Sequence, residues 1–244
     1  VGTELLMGQI LDTNSQYLSQ ELNAMGFDVY YKSTVGDNPE RMKQAFALAL
    51  SRSDIVITTG GLGPTEDDIT KEMMAEQLDI PLVLHQPSLE AIQGFFARIG
   101  QPMTENNRKQ AMLPMAKDGI IMPNPKGTAP GCIMHQNGKH AIVMPGPPFE
   151  MKHMFSQYAK PYLQQFCSDV LVSHYLRVVG LGESRVADLL QEVIEEQSNP
   201  SLATYCSPSE VQIRITAKCK GEEEAEALIA PVEAKIRDIL GNAV

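Results

Sequence analysis

The residues best equipped for chemistry form one run, Gly60-Gly61-Leu62-Gly63-Pro64-Thr65-Glu66-Asp67-Asp68. It follows a short apolar stretch, Asp54 to Thr59, that reads as a strand buried on both faces, and it precedes helical spacing from Ile69 to Leu78. Glycines between a strand and a helix let the backbone approach a ligand closely, and amides beside a helix N-terminus attract anions. Taken alone, such a turn is either an anion cradle or a plain structural turn. The acidic tail separates the two readings. Helix capping accounts for one or two of Glu66, Asp67 and Asp68 in a first helical turn. Beside a phosphate, however, carboxylates repel, and a divalent cation between them removes the conflict, as when Mg²⁺ takes one or two carboxylates plus phosphate oxygens. The run therefore points to a metal-bridged phosphate or pyrophosphate, with Gly60, Gly61 and Gly63 as the cradle and Asp67 and Asp68 as metal ligands. It is not a Walker A loop, because no Gly-Lys-Ser/Thr follows, nor is it the first-strand G-x-G-x-x-G dinucleotide turn.

Ligands of a parallel α/β sheet sit beyond the carboxyl ends of the strands. Asp37, in Val35-Gly36-Asp37-Asn38-Pro39, ends the preceding strand-like segment and falls on that same edge. Gly2-Thr3-Glu4 resembles a second turn of this kind, and the remaining Gly/Pro turns are Lys126-Gly127-Thr128-Ala129-Pro130-Gly131 and Pro145-Gly146-Pro147-Pro148. Lys126 is either a phosphate partner or a solvated loop lysine. Arg108, in the polar cluster Asn106-Asn107-Arg108, either pairs a phosphate or lies on a surface helix.

The elements that must position these residues alternate. Asp12-Thr13-Asn14 caps a helix carrying Tyr17, Leu18, Leu22 and Met25 and stopped by Gly26; Phe27 to Val35 reads as a strand; Asn38-Pro39 starts a helix with Met42, Ala45, Phe46 and Ala49 on its apolar stripe. Residues 79 to 118 read as mostly helical, Gly119 to Met122 as a strand, and Ile133–His135 with His140–Met144 as strands around Asn137-Gly138, a strong hairpin signal. A helix runs from Pro148 to about Phe166. Such alternation implies an α/β class with mostly parallel pairing. A second pattern follows: strand Val170–Val179, helix Glu183–Gln197, strands Leu202–Tyr205 and Val211–Lys218 around Ser207-Pro208-Ser209, and helix Glu222–Leu240. We therefore expect two domains, 1–168 and a small α+β domain, 169–244.

With 244 residues and 43% apolar content, a full core is expected without staples. The net charge of −10 argues against a general nucleic-acid binder, which needs basic surface to displace counterions. Cys132, Cys167, Cys206 and Cys219 form no C-x-x-C pair and read as free thiols of a reducing compartment; the five histidines lack metal-ligand spacing. No apolar run reaches membrane-spanning length and no signal peptide is evident, so a cytoplasmic protein with no membrane partner is expected. The chain opens on Val1-Gly2-Thr3-Glu4-Leu5-Leu6 without a Met or a preceding strand, which reads as a fragment or trimmed chain.

Gly2-Thr3-Glu4-Leu5-Leu6 with Gly8-Gln9 and Asp12-Thr13-Asn14, Thr34-Val35-Gly36-Asp37-Asn38, Thr59 to Thr70, Gly127-Thr128-Ala129-Pro130-Gly131 and Pro145-Gly146-Pro147-Pro148 together resemble the CinA (competence/damage-inducible) family over the whole chain. The resemblance implies a three-layer α/β/α domain of the molybdopterin-binding MoaB/MogA/MoeA type followed by a KH-like domain. It implies metal-dependent ADP-ribose pyrophosphatase activity yielding AMP and ribose 5-phosphate, with Mg²⁺, Mn²⁺ or Co²⁺ and assistance from K⁺. Asp68 and Asp37 then become the catalytic and metal-binding pair, with Asp67 beside them. Gly2, Thr3, Glu4, Thr59, Gly60, Gly61, Gly63, Arg108, Lys126, Gly127, Thr128 and Gly146 surround the nucleotide. Two rival readings share the loop: a pterin-binding adenylylating enzyme of molybdenum cofactor synthesis, and a non-catalytic nucleotide-binding or assembly module. Gly180-Leu181-Gly182-Glu183 lacks the Gly-x-x-Gly spacing of an RNA clamp, so the KH-like part is expected to be structural or to form a homodimer. Family members often continue into a nicotinamide-nucleotide amidohydrolase domain, for which the chain to Val244 leaves no room.

Overall fold

The computed structural model describes residues 1–167, 169–196, 198–207 and 210–244. The chain divides into two compact units, Val1–Leu18 with Tyr31–Leu163, and Ser19–Tyr30 with Gln164–Val244. The expected boundary at 168, the expected helix end at Gln197 and the turn tip Pro208-Ser209 lie outside the described residues.

The elements run in the order α1 (Thr3–Leu6), α2 (Thr13–Ala24), α3 (Pro39–Arg52), β1 (Ile55–Thr59), α4 (Thr70–Gln77), β2 (Leu82–Leu84), α5 (Gln86–Arg98), a 3-10 helix (Glu105–Ala111), β3 (Met112–Pro114), β4 (Ile120–Met122), β5 (Gly131–Gln136), β6 (Lys139–Met144) and α6 (Pro148–Met154). A π-turn (Phe155–Ala159) joins α6 to α7 (Lys160–Gln164). The main sheet of the first unit has the order β1-β6-β5-β4. In this sheet β1 and β6 pair in parallel, while β6 with β5 and β5 with β4 are antiparallel. The expected mostly parallel pairing is thus confined to one strand pair, and the sheet is mixed. The cause is local: Asn137 (φ 53°) and Gly138 (φ 73°) form a two-residue turn with positive φ at both positions, and so short a link joins antiparallel strands only.

Helices cover both faces of this sheet. On one face Met42, Phe46 and Leu50 of α3 and Met74 of α4 pack with Val56, Cys132, Met134, Ala141 and Val143. Each such side chain contributes roughly 2 kcal/mol relative to exposure. The intervening Ile133, Ile142 and Met144 are equally buried and, by the period of two, face the other way. There a Cβ on Gly131 would meet the Met154 sulfur of α6, and Tyr17 meets Phe155 edge-on. The class is therefore α/β, as the alternation implies. The α3 start behaves as its sequence suggests, with the Asn38 side chain accepting from the Arg41 N–H at 3.1 Å and Pro39 in the first turn.

Four local expectations change. Phe27–Val35 forms no strand; residues 27–30 cluster with the second unit, and at the other end Val35 O accepts from Gly2 N–H at 3.0 Å. The Val1 amino group donates instead to Thr59 O at 2.7 Å, so the first two residues reach from the end of β1 to the 31–35 segment. β1 is the sheet edge, and its Ile55 and Ile57 are only half-buried. Glu66, Asp67 and Asp68 precede the helix rather than forming its first turn, since α4 begins at Thr70. Finally, residues 82–84 and 112–114 form a small antiparallel ladder, β2 with β3, too short for periodicity to reveal.

The second unit contains β7 (Val170–Val178), α8 (Glu183–Leu189), α9 (Gln191–Glu195), β8 (Ser201–Cys206), β9 (Val211–Cys219) and α10 (Glu222–Leu240). Its antiparallel sheet has the order β7-β9-β8. Alternate residues of β9 (Val211, Ile213, Ile215, Ala217, Cys219) pack on Val186 of α8 and Ala225, Ile229 and Ile236 of α10. The expected β-α-β-β-α order is present, with the first helix broken at Leu190. Among the described residues no helix is long and apolar enough to cross a membrane.

Candidate functional site

The turn after β1 folds as its glycines demand. Gly60 and Gly61 have φ of 99° and 69°, in the left-handed region, and a Cβ would collide with Val1 O at Gly60 and with the Thr70 hydroxyl at Gly61. Gly60 N–H is used by Met144 O at 3.0 Å. The next three N–H groups, on Gly61, Leu62 and Gly63, have no protein partner among the described residues, whereas the Gly61 carbonyl accepts from Thr70 N–H at 3.1 Å. Consecutive amides released by left-handed glycines make an anion-binding concavity.

This turn opens on a cleft of about 770 Å³ within the first unit. Gly2, Glu4, Asp37, Thr59, Gly60, Gly61, Gly63, Asp67, Asp68, Thr128 and Gly146 all line it. Thr3 lies one bond behind, its N–H and hydroxyl both donating to Asp37 Oδ2. Gly127 sits against the Glu150 carboxylate, itself a lining group. Arg108 and Lys126 are exposed and are not among the lining residues, so neither of the cations expected at the phosphate is brought there. Lys109 reaches the acidic turn instead, donating from Nζ to Thr65 O at 2.8 Å.

The acidic turn is organised by Thr65. Its N–H donates to Asp68 Oδ2 at 3.0 Å, and its hydroxyl lies against both Asp67 Oδ1 and Asp68 Oδ2. A hydroxyl has one proton, so only one carboxylate receives it at a time. The Thr65 hydroxyl, followed by Asp67's own N–H and the charge of Lys109, holds the Asp67 carboxyl below the ordinary carboxylate range. Among the described residues no group of three or more His, Cys, Asp or Glu can hold a metal by itself.

Asn14, Gln110 and Glu150 are among the lining residues that have no counterpart in the sequence-derived candidates. Asn14 Nδ2 donates to Thr59 Oγ1 at 2.9 Å and Gly146 O at 2.7 Å, joining the ends of the two parallel strands. Its Oδ1 is buried and, among the described residues, has no partner. Turning the amide over would set oxygen against the Gly146 carbonyl, so the orientation is fixed and a buried acceptor is left for a donor. Gln110 is buried and donates to Leu62 O at 3.2 Å and Thr128 Oγ1 at 3.1 Å. Both are neutral amides whose burial is invisible in the sequence.

Fold and site together define an α/β domain of the molybdopterin-binding type, with the glycine turn and acidic tail at one end of its sheet. The family described as "Probable molybdopterin binding domain" matches residues 1–165, and "Damage-inducible protein CinA KH domain" matches residues 173–244. A "Putative competence-damage inducible protein" of Clostridium novyi (strain NT) is 53% identical over 244 residues, covering 100% of this chain and 58% of the relative. The protein of the same description from Clostridioides difficile (strain 630) is likewise 53% identical over 244 residues, 58% of its length. The solved CinA protein "with unknown function" from Thermoplasma acidophilum is 34% identical, with a TM-score of 0.59, covering 66% of this chain and 92% of that one. The chain belongs to the CinA family. It spans 58% of the length of these curated relatives.

Proposed function

We propose that this chain hydrolyses a nucleotide pyrophosphate, with ADP-ribose as substrate and AMP and ribose 5-phosphate as products. The observation that carries the reading is the row of unpartnered N–H groups on Gly61, Leu62 and Gly63 next to the Asp67–Asp68 carboxylates. Amides of that kind take a phosphate, and carboxylates beside a phosphate require a cation between them.

In this reading the three amides hold one phosphate of the substrate and stabilise the charge that gathers on it during attack. Asp68 and Asp37, with Asp67 beside them, would hold a divalent ion, which would supply charge neutralisation for the pyrophosphate and a more acidic water. Thr65 occupies Asp68 Oδ2, which turns the carboxylate and leaves Oδ1 to take the proton of the attacking water. Water adds to one phosphorus, the bridging P–O bond breaks, and AMP and ribose 5-phosphate separate. Asn14 Oδ1 accepts from a ligand hydroxyl. A K⁺ ion would assist, as the resemblance to the CinA family implies.

The test is incubation of the chain with ADP-ribose, Mg²⁺, Mn²⁺ or Co²⁺, and K⁺, with AMP as the readout. The parent releases AMP and Asp68→Asn does not, while keeping its fold. AMP release at parental rate from Asp68→Asn rejects the assignment. The match of residues 1–165 to a molybdopterin-binding family favours one alternative ligand, a pterin phosphate. ATP-dependent adenylylation of molybdopterin, with ADP-ribose left intact, would select it.

A further inference from the structure

The 3-10 helix Glu105–Ala111 is tied to the acidic, glycine-rich turn more closely than its surface position requires. In a 3-10 helix side chains three apart eclipse. Thr104, Asn107 and Gln110 therefore stack along one side, and they form a directed relay. Thr104 N–H and Oγ1 donate to Asn107 Oδ1 at 3.2 and 2.8 Å; Asn107 Nδ2 donates to Gln110 Oε1 at 3.1 Å; Gln110 Nε2 donates to Leu62 O and Thr128 Oγ1. Gln110 is 2% exposed and Asn107 5%. The Leu62 carbonyl only accepts, so the Gln110 amide has one workable orientation.

The consequence lies in peptide geometry. A trans peptide points its C=O and N–H in opposite directions. Gln110 holds Leu62 O and so turns the Gly63 N–H away from itself. Thr70 N–H does the same through Gly61 O for the Leu62 N–H, and Lys109 Nζ through Thr65 O for the Glu66 N–H. Lys109 is anchored in turn, its carbonyl accepting from Lys71 Nζ at 3.1 Å; Lys71 is 2% exposed and paired with Glu72 at 2.9 Å. The Leu62-Gly63 peptide adjoins a glycine and is free to rotate unless it is held. Rotated, it would present a carbonyl to the anion in place of an amide.

We propose that Gln110 is a positioning residue: it presets the Leu62-Gly63 peptide so that its N–H is available to a ligand phosphate, with Lys109 fixing the far end of the same turn. The proposal deepens the phosphate reading given above and rests on it. Gln110→Glu keeps size and the Asn107 acceptor but cannot donate to Leu62 O. We expect amide exchange at Thr65 and Thr70, whose N–H groups bond within the turn to Asp68 Oδ2 and Gly61 O, to accelerate at least tenfold while β5 and β6 keep their protection. The Kd for ADP-ribose, measured by calorimetry, rises at least tenfold, and KM rises more than kcat falls. Lys109→Met, at a half-buried position, gives a smaller change of the same kind and serves if Gln110→Glu does not fold. A folded variant with loop exchange and ADP-ribose Kd both within twofold of the parent overturns the proposal, and Lys109→Met with unchanged exchange does so alone. If the parent binds no ADP-ribose, the phosphate reading fails and the proposal built on it falls; amide exchange then still reports whether Gln110 holds the turn.

Discussion

Asp37 accepts two hydrogen bonds from Thr3 on a single carboxylate oxygen: the Thr3 N–H and its hydroxyl both lie 2.8 Å from Oδ2. The carboxylate thus caps the four-residue α1 while lining the cleft. Its two tasks separate by substitution. Asp37→Asn retains an acceptor oxygen for Thr3 but carries no charge. It should unfold within about 1 kcal/mol of the parent, the scale of a helix cap, yet release AMP at least tenfold more slowly. Denaturant melts and product release measured together check this; equal loss in Asp37→Asn and Thr3→Val would assign Asp37 to capping alone.

Gly63 differs from Gly60 and Gly61 in having an ordinary φ, so a side chain there meets only its surroundings. A Cβ at Gly63 would overlap the Asp68 carboxylate, the end of a side chain that is able to swing away. Gly63→Ala should therefore keep its Tm while displacing Asp68, with turnover down on the order of 100-fold, the scale of one misplaced catalytic group. Gly61→Ala should instead lose stability, since a left-handed φ costs a non-glycine residue about 1–2 kcal/mol.

The second unit should have a bell-shaped stability profile. His174 Nδ1 lies 2.7 Å from Glu233 Oε2 and its Nε2 3.1 Å from Glu226 Oε1, and the charged imidazole donates to both carboxylates. The bond to Glu233, then that to Glu226, raises the His174 pKa above 6.5. The His174 bond, then that from Arg237, lowers the Glu233 pKa below 4.5. The histidine contribution is complete below pH 6.5 and is lost as pH rises through its raised folded value. The glutamate contribution is complete above pH 4.5 and is lost as pH falls through its lowered value. Both are fully present only between those two values. Melts of parent and His174→Gln across pH 4 to 9 check this, and the variant should lose the decline on the alkaline side.

Lys71 is 2% exposed and pairs with Glu72, one of whose oxygens is buried without a partner among the described residues. Removing one member of such a pair strands the other charge. Lys71→Met should destabilise the first unit by roughly 3 kcal/mol or more, and adding Glu72→Gln should recover a large part of it. A double variant no more stable than the single one would contradict this account of the pair.

What was legible in the sequence follows the physics of each signal. Asn137-Gly138 named its hairpin because positive φ at two successive residues admits few side chains. The bounds of α10 were readable because about five turns of apolar spacing leave little freedom. Phe27–Val35 misled because β-type composition describes a surface that suits pairing, and a ladder also needs neighbours. The three-residue β2 and β3 are shorter than any period. In the site, the glycine turn and its acids stood out by type and spacing. Charge drew attention to Arg108, yet the 3-10 rotation leaves it exposed and turns the neutral Gln110 two residues on into the cleft wall. Asn14 escaped notice for the same reason, because the burial of an amide depends on strands more than a hundred residues away, as its bond to Gly146 shows.

Whether the turn after β1 is an anion cradle built from backbone amides is open to direct observation by nitrogen–proton NMR of the labelled chain during titration with ADP-ribose and Mg²⁺. The largest shifts should fall at the amides of Gly61, Leu62 and Gly63, saturating together, with Gly60 little moved because Met144 already holds its N–H. Saturable shifts centred elsewhere, or none at those three amides, would contradict it.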